Sequence, residues 1–585
     1  MFTARAVTNH QLHAHATPAV IPARDPATTR AYMVGSGIAS MASAMFLIRE
    51  AKVPAKNITI YEESSTLGGA LDGTGNPKEG GYVIRGGRML NLSYVCLYDL
   101  LDSVPSIEKS LLGVPRDILE KKPRTAKDDI MLFTKHHPTA AAARLVDAEG
   151  KILPVHDNMG FSAEDRVDLM SILTCTEEDL GTKRIDQCFN EHFFTTQFWY
   201  MWATMFAFQP WHSAVEYKRY VHRFAHEFGR IDTLAGVDRT PMNQFDSIVL
   251  PVATHLKSLG VNFVERTLVS KVDFDRSVPH TITVSGLHLT PARGSTAQER
   301  VQKIEPTDLV FVTNGSMTSA ASLGDTDKPA PAIDPQQVHK MDGAWKLWEQ
   351  IAHEFPSGAA GNPSNFIGRE EESNWMSFTT TFRGDTTFFD TMEKWSGNPA
   401  GSGALVTFKD SNWLMSVVLA AQPHFRDQPA DVQVFWGYAL FTNKPGDYIK
   451  KTMRECTGRE IMEELMYHLR NSGPFADEAL RNRVLEAATV VPVMMPYITA
   501  QFLTREEVDR PNVVPKGSTN LAFCSQFCEV PDDVVFTVEY SVRAARMAVV
   551  SLMGLGPEHN PPPVYKDKML GSPAEMIKSL KTFFS

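Results

Sequence analysis

The spacing of apolar and polar positions changes several times along this chain, and each change predicts an element. Ala31 to Val34 (AYMV) is an unbroken apolar run, the pattern of a strand buried on both faces. A turn follows at Gly35-Ser-Gly37-Ile-Ala-Ser40. Met41, Ala44, Met45 and Ile48 then fall at helical spacing, and Asn57 to Glu63 (NITIYEE) reads as a second strand. Val261 to Asp275 (VNFVERTLVSKVDFD) alternates as strands do, and Asp308 to Ser316 (DLVFVTNGS) is a strand entering a glycine turn. Phe193 to Trp211 is densely aromatic and predicts a buried helix, or the wall of an apolar tunnel. Tyr217, Tyr220 and Phe224 share one face of the helix after it. Near the C-terminus, Ser572-Pro573-Ala574-Glu575 has the form of a capping box. It is followed by Met576, Ile577, Leu580, Phe583 and Phe584 on one stripe, with Lys578 and Lys581 off it.

Strand, glycine turn, helix and second strand together make the fingerprint of a dinucleotide cradle. Gly35 permits the tight turn, and Gly37 lets a pyrophosphate reach the helix N-terminus. Ser40 is small enough for close helix packing, and Glu62, 25 residues past Gly37, can hold ribose hydroxyls. The acid followed by Gly68 and Gly69 in SSTLGGALDG resembles the FAD proteins of glutathione-reductase type, which implies FAD as cofactor. The later strands carry Val269 and Asn314 and close such a domain, which puts both residues at the cofactor. No second nucleotide fingerprint and no redox cysteine pair accompanies the first, so nothing obvious feeds the flavin electrons. A structural or electrostatic flavin is expected.

Composition narrows the field. The 585 residues are 43% hydrophobic and 22% charged, with net charge −10, so a large core can form and no global positive field attracts nucleic acid. Six scattered cysteines offer no metal spacing and suit free thiols in a reducing, cytoplasmic setting. Residues 1–30 read as a disordered extension with no secretory signal, and no run is long enough for a membrane span.

Long strings carry a more specific resemblance: GSGIAS, EESSTLGGALDG, GYVIRGGRML, FAFQPWHSAVEYKRYVHRF, NQFDSIVLP, QPHF and RPNVVPKGSTNLAFCSQFCEVPDDVVFTVEYSVRAA. Over about Ala31 to Leu555 the chain resembles the oleate hydratases, formerly called myosin-cross-reactive antigens. That resemblance implies an unsaturated free fatty acid as substrate, and water added across the cis-9 double bond of oleate to give 10-hydroxystearate. FAD is bound in that family without net redox change. It further implies Tyr220 as proton donor, Gln244 and His424 as ligands of the substrate carboxylate, and Gly86, Gly87 and Arg88 as a glycine loop beside the flavin ring. Two departures stand out. Met89 occupies the position of the family glutamate proposed to activate water, and a thioether cannot be a general base. Val418 and Ala420 stand where further carboxylate ligands are expected.

The expected fold is α/β, with a discontinuous FAD-binding domain over 31–150, 230–330 and 480–555. A helical insertion fills 151–229, a mixed substrate domain 331–479, and a C-terminal amphipathic tail 556–585. The tail is expected to dock on its own protein or on a partner subunit, with peripheral membrane contact as the alternative; monomer and homodimer both stay open. Two other functions stay open: a flavin-dependent lipid oxidoreductase and a non-catalytic fatty-acid-binding flavoprotein.

Overall fold

The protein is described here by a computed structural model covering residues 22–564, except 72, 77–79, 88, 156–158, 292–297, 332–342 and 356–357. Arg88 and the amphipathic stripe after Ser572 therefore lie outside the described residues. Residues 22–30, expected to belong to a disordered N-terminal extension, are among the described residues. Arg24 is fastened to the body by hydrogen bonds to the carbonyls of Leu552 (2.6 Å) and Thr519 (2.6 Å).

The apolar runs form a five-stranded parallel sheet. Its spatial order is Leu521–Phe523, Leu309–Val312, Ala31–Val34, Ile58–Tyr61 and Asn262–Val264. Ala31–Val34 sits at the centre and is buried throughout, which is why its sequence shows no alternation. The first helix (Ile38–Arg49) covers one face of this sheet and packs against the closing helix (Val538–Met553).

A second, seven-stranded sheet carries the other half of the molecule, and here the expected boundaries change. Beyond Trp375–Arg383, Val406–Phe408, Met415–Leu419 and Val432–Ala439, it takes strands from Leu145–Val146, Ser322–Leu323 and Thr489–Met495. All three fall within ranges expected for the dinucleotide domain. Strand order depends on hydrogen bonding to distant partners, which local spacing does not encode. The hairpin strand Gly81–Ile84 lies on this sheet: Thr381 Oγ1 accepts from Tyr82 N (3.2 Å) and Thr379 Oγ1 from Ile84 N (2.8 Å). That contact aims the following glycine segment between the two sheets.

Helices Ala163–Thr174, Gln197–Phe206 and Ala214–Phe224 fill the expected insertion. Among the described residues, no helix is long and apolar enough to cross a membrane. All six cysteines are free thiols.

Candidate functional site

Two cavities meet between the sheets, and Phe536, Thr537 and Val538 line both. The first, of about 370 Å³, follows the glycine turn. Gly35 adopts φ +90°, and its N–H donates to the Tyr61 carbonyl (2.9 Å), which folds the turn back onto the neighbouring strand. Gly37 caps the first helix at an ordinary φ of −64°, and a Cβ there would meet no atom within 4 Å. That helix start has no side-chain cap and no acid in its first turn, so its N–H groups and the positive end of its dipole face the cavity. Gly68 (φ +103°) and Gly69 form the floor, with Gly68 N donating to the Ser36 carbonyl (3.2 Å). Glu62 accepts from Ser36 N (2.9 Å) and Ser36 Oγ (2.6 Å) at the rim. Open space over an uncapped helix start, bounded by glycines, fits a pyrophosphate.

Val269 lines this cradle, whereas four other residues expected at the cofactor, Ser40, Gly86, Gly87 and Asn314, do not. Ser40 is buried below the helix start, 3.4 Å from Thr313 Oγ1, where its small size serves packing. Asn314 is a structural tie. Its Nδ2 donates to the Phe527 carbonyl (3.0 Å) and its Oδ1 accepts from Ser525 Oγ (2.9 Å), while its neighbours Thr313 and Gly315 form the wall. Gly86 lies between Arg85, on the cradle, and Gly87, on the second cavity. Sequence reading missed Arg85, whose guanidinium donates to the Thr318 carbonyl (3.2 Å) and whose pKa is pushed down to about 10 by burial.

The second cavity, of about 190 Å³, gathers Met89, Tyr220, Gln244 and His424 from four distant segments. Val418 and Ala420 line it too, and neither offers a side-chain donor. Its apolar wall includes Trp202 and Phe206 of the aromatic helix (Gln197–Phe206), so that helix is both buried core and cavity wall. Tyr220 is fully buried on the helix Ala214–Phe224, edge-on to Phe206 at 5.0 Å, and its hydroxyl donates to the Val535 carbonyl beside the residues shared by the two cavities. Gly87 passes so close to Trp436 that a Cβ would lie 3.3 Å from the indole.

Gln244 and His424 are joined through their neighbour: Asn243 N and Nδ2 each donate to the His424 carbonyl at 2.9 Å. Gln244 opens a single π turn, Phe245–Val249, ahead of the helix Leu250–Leu259, a local irregularity that often marks function. Desolvation pushes the His424 pKa down to about 4, so the ring is neutral at pH 7 and can give one N–H to an anion. Glu227 is the one carboxylate among the described lining residues. It accepts from Asn91 Nδ2 (2.8 Å) and Arg230 Nη2 (2.7 Å), and its pKa is lowered by hydrogen bonding to His226 and by Arg230, against the opposing effect of burial.

Known proteins resemble this chain along most of its length. An oleate hydratase of Streptococcus pyogenes serotype M49 (strain NZ131) is 35% identical over 529 residues, covering 89% of this chain and 85% of the relative. A linoleate hydratase of Lactiplantibacillus plantarum is 34% identical over 592 aligned positions, covering 95% and 98%. Wild-type putrescine oxidase bound to putrescine shares the fold at 11% identity, with a TM-score of 0.52 over 90% of this chain and 99% of that one. The model of the MCRA family matches residues 28–550, and with that match and those relatives this chain belongs to the MCRA family.

Proposed function

We propose that this protein is a fatty acid hydratase that adds water across the cis-9 double bond of oleate, or of a similar unsaturated fatty acid, with FAD held in the cradle and no net redox change. One observation carries this reading: Tyr220, Gln244 and His424 line one apolar cavity that adjoins a dinucleotide cradle, in a chain about 35% identical to an oleate hydratase. Hydration of an isolated alkene needs a proton for one carbon, water for the other, and an environment that tolerates positive charge between them.

Tyr220 is the proton donor. Its hydroxyl is shielded from solvent, and rotation away from the Val535 carbonyl would turn the proton toward the cavity. Gln244 and His424 take the carboxylate, which fixes the distance from the acid head to the double bond. The cradle residues Gly35, Gly37, Gly68 and Gly69 hold the pyrophosphate, and Glu62 the ribose. When bound, FAD would supply a polarisable isoalloxazine ring able to stabilise developing positive charge; Phe536, Thr537 and Val538 line both the cradle and the cavity. Arg85 lies on the same cradle as a half-buried cation that would offset negative charge there.

The test is incubation of the flavin-loaded protein with oleate, followed by mass analysis. A product heavier by one water, hydroxylated at carbon 10, is expected. Binding without turnover would make the protein a fatty-acid-binding flavoprotein, and a product that requires an electron acceptor would make it an oxidoreductase. The apolar stripe and lysines of residues 566–584 support a weak, salt-sensitive contact with anionic membranes. Equal liposome flotation of the full chain and a chain ending at Pro563 would remove that contact.

A further inference from the structure

We propose that Arg239 is the cation that receives the substrate carboxylate, an inference that rests on the fatty-acid reading above. Arg239 is 8% exposed and lines the second cavity together with Thr240, Gln244 and His424. Its position at that end is fixed from both sides. Its side chain lies against Gly403, where a Cβ would come within 2.3 Å of Arg239 Cδ, and Gly401, two residues earlier, lies against Ala421, three residues before His424.

Among the described residues no carboxylate lies within salt-bridge distance of the guanidinium, although the neighbouring Asp238 charge favours its charged form. Nε donates to Thr139 Oγ1 (3.0 Å), Nη2 donates to the His137 carbonyl, and Nη1 donates to no described residue. The Phe133 ring lies under it, 5.4 Å from Cζ. The adjacent Asp238 makes no direct ion pair with it: its carboxylate accepts from the Tyr98 hydroxyl (2.7 Å) and acts on the guanidinium only through its charge. The other arginine on the cavity, Arg230, is already paired with Glu227 at 2.7 Å. A buried unit charge without a partner is costly and usually answered by a partner or a lost proton. Burial brings the Arg239 pKa down only to about 10, so the cation persists at neutral pH.

The rest of that end of the cavity can orient an anion but not neutralise it. His424 is neutral, Gln244 and Thr240 are uncharged, and Val418 and Ala420 are apolar. A carboxylate entering here meets one unpaired positive charge with a free N–H, while its chain runs toward Trp202, Phe206 and Tyr220. A ligand with an anionic head and an apolar body fits that polarity, and an ester or alcohol of the same length lacks the matching charge.

The test compares the free acid with its methyl ester. Arg239→Gln should raise KM for oleate at least about tenfold, with a smaller change in kcat, and should abolish the preference for oleate over methyl oleate. Arg239→Lys keeps a cation in the same place and should keep that preference. Stearate cannot be hydrated, so its binding to the flavin-loaded protein, followed by calorimetry, reads the same contact independently of turnover. Binding weakened in Arg239→Gln and retained in Arg239→Lys supports the assignment. An acid-over-ester preference that survives Arg239→Gln, or stearate bound equally by that variant, overturns it, whether or not the wild-type protein hydrates oleate. If Arg239→Gln does not fold, Arg239→Lys decides: loss of the acid-over-ester preference with the cation retained also overturns it.

Discussion

The cradle and the acyl cavity touch at Phe536, Thr537 and Val538, yet they are built from different material. The cradle is shaped by backbone: Gly35 at φ +90°, Gly68 at φ +103°, and a helix start left uncapped. The cavity is shaped by side chains, with aromatic rings on its walls and Arg239, Gln244 and His424 at one end. A backbone site is suited to hold a ligand whose phosphates are always the same. A side-chain site can be retuned by single substitutions at lining positions such as Met89, Val418 and Ala420. The comparison predicts that cradle substitutions act on flavin content and cavity substitutions act on turnover.

The largest effect is expected at Gly37. Its backbone conformation suits any residue and its Cβ direction is open, so Gly37→Val should fold normally but fill the cradle. Purified protein should lack flavin absorbance and activity while keeping the melting temperature of the flavin-free wild-type protein. Retained flavin would show that the pyrophosphate does not lie over that helix start. Tyr220→Phe should be the converse, with flavin and fold retained and hydration lowered at least about a hundredfold, the scale of a lost general acid. Near-normal turnover would remove Tyr220 from the chemistry.

The same contrast explains what could be read before the fold was known. Glycine turns are local: Gly35, Gly37, Gly68 and Gly69 sit within a few residues of the strands they follow, so their spacing announced the cradle. Ser40 falls on the first of these turns and Asn314 on the later strand and turn at 308–316, but they serve packing and loop tying, a distinction of side-chain direction that spacing does not carry. Tyr220, Gln244 and His424 were reached only through resemblance, because more than 200 positions separate the first from the last. Arg239 gave no signal at all. An arginine in DRTPMNQFD is ordinary in sequence and becomes unusual only when burial and the missing counter-ion are seen. The strands at 145–146, 322–323 and 489–495 show no local sign of their sheet for a related reason, since each joins a sheet whose other members lie far away in the chain.

Smaller effects sharpen the account of the cavity. Met89→Glu restores a carboxylate on its wall and should raise turnover, by up to about tenfold, if water is delivered from that side. Unchanged turnover with flavin retained would show that water arrives by another route. The smallest expected effect is an absence of one. KM for oleate should stay flat from about pH 6 to about pH 9, because His424, with its pKa near 4, stays neutral and Arg239, with its pKa near 10, stays charged. Affinity should weaken above that window as the guanidinium loses its proton. A step in KM near pH 6.5 would instead identify an imidazolium as the carboxylate's partner.

The central claim is that the cradle's cofactor supports chemistry in the neighbouring cavity without itself being consumed. It is tested most directly by turning over oleate under nitrogen, in isotopically labelled water and without any electron acceptor, while the flavin spectrum is recorded. The account predicts hydroxy acid carrying one oxygen from water in every product molecule, with the flavin in the same oxidation state at the beginning and the end. Product that forms only when an acceptor is added, or a flavin that changes oxidation state in step with product, would contradict it.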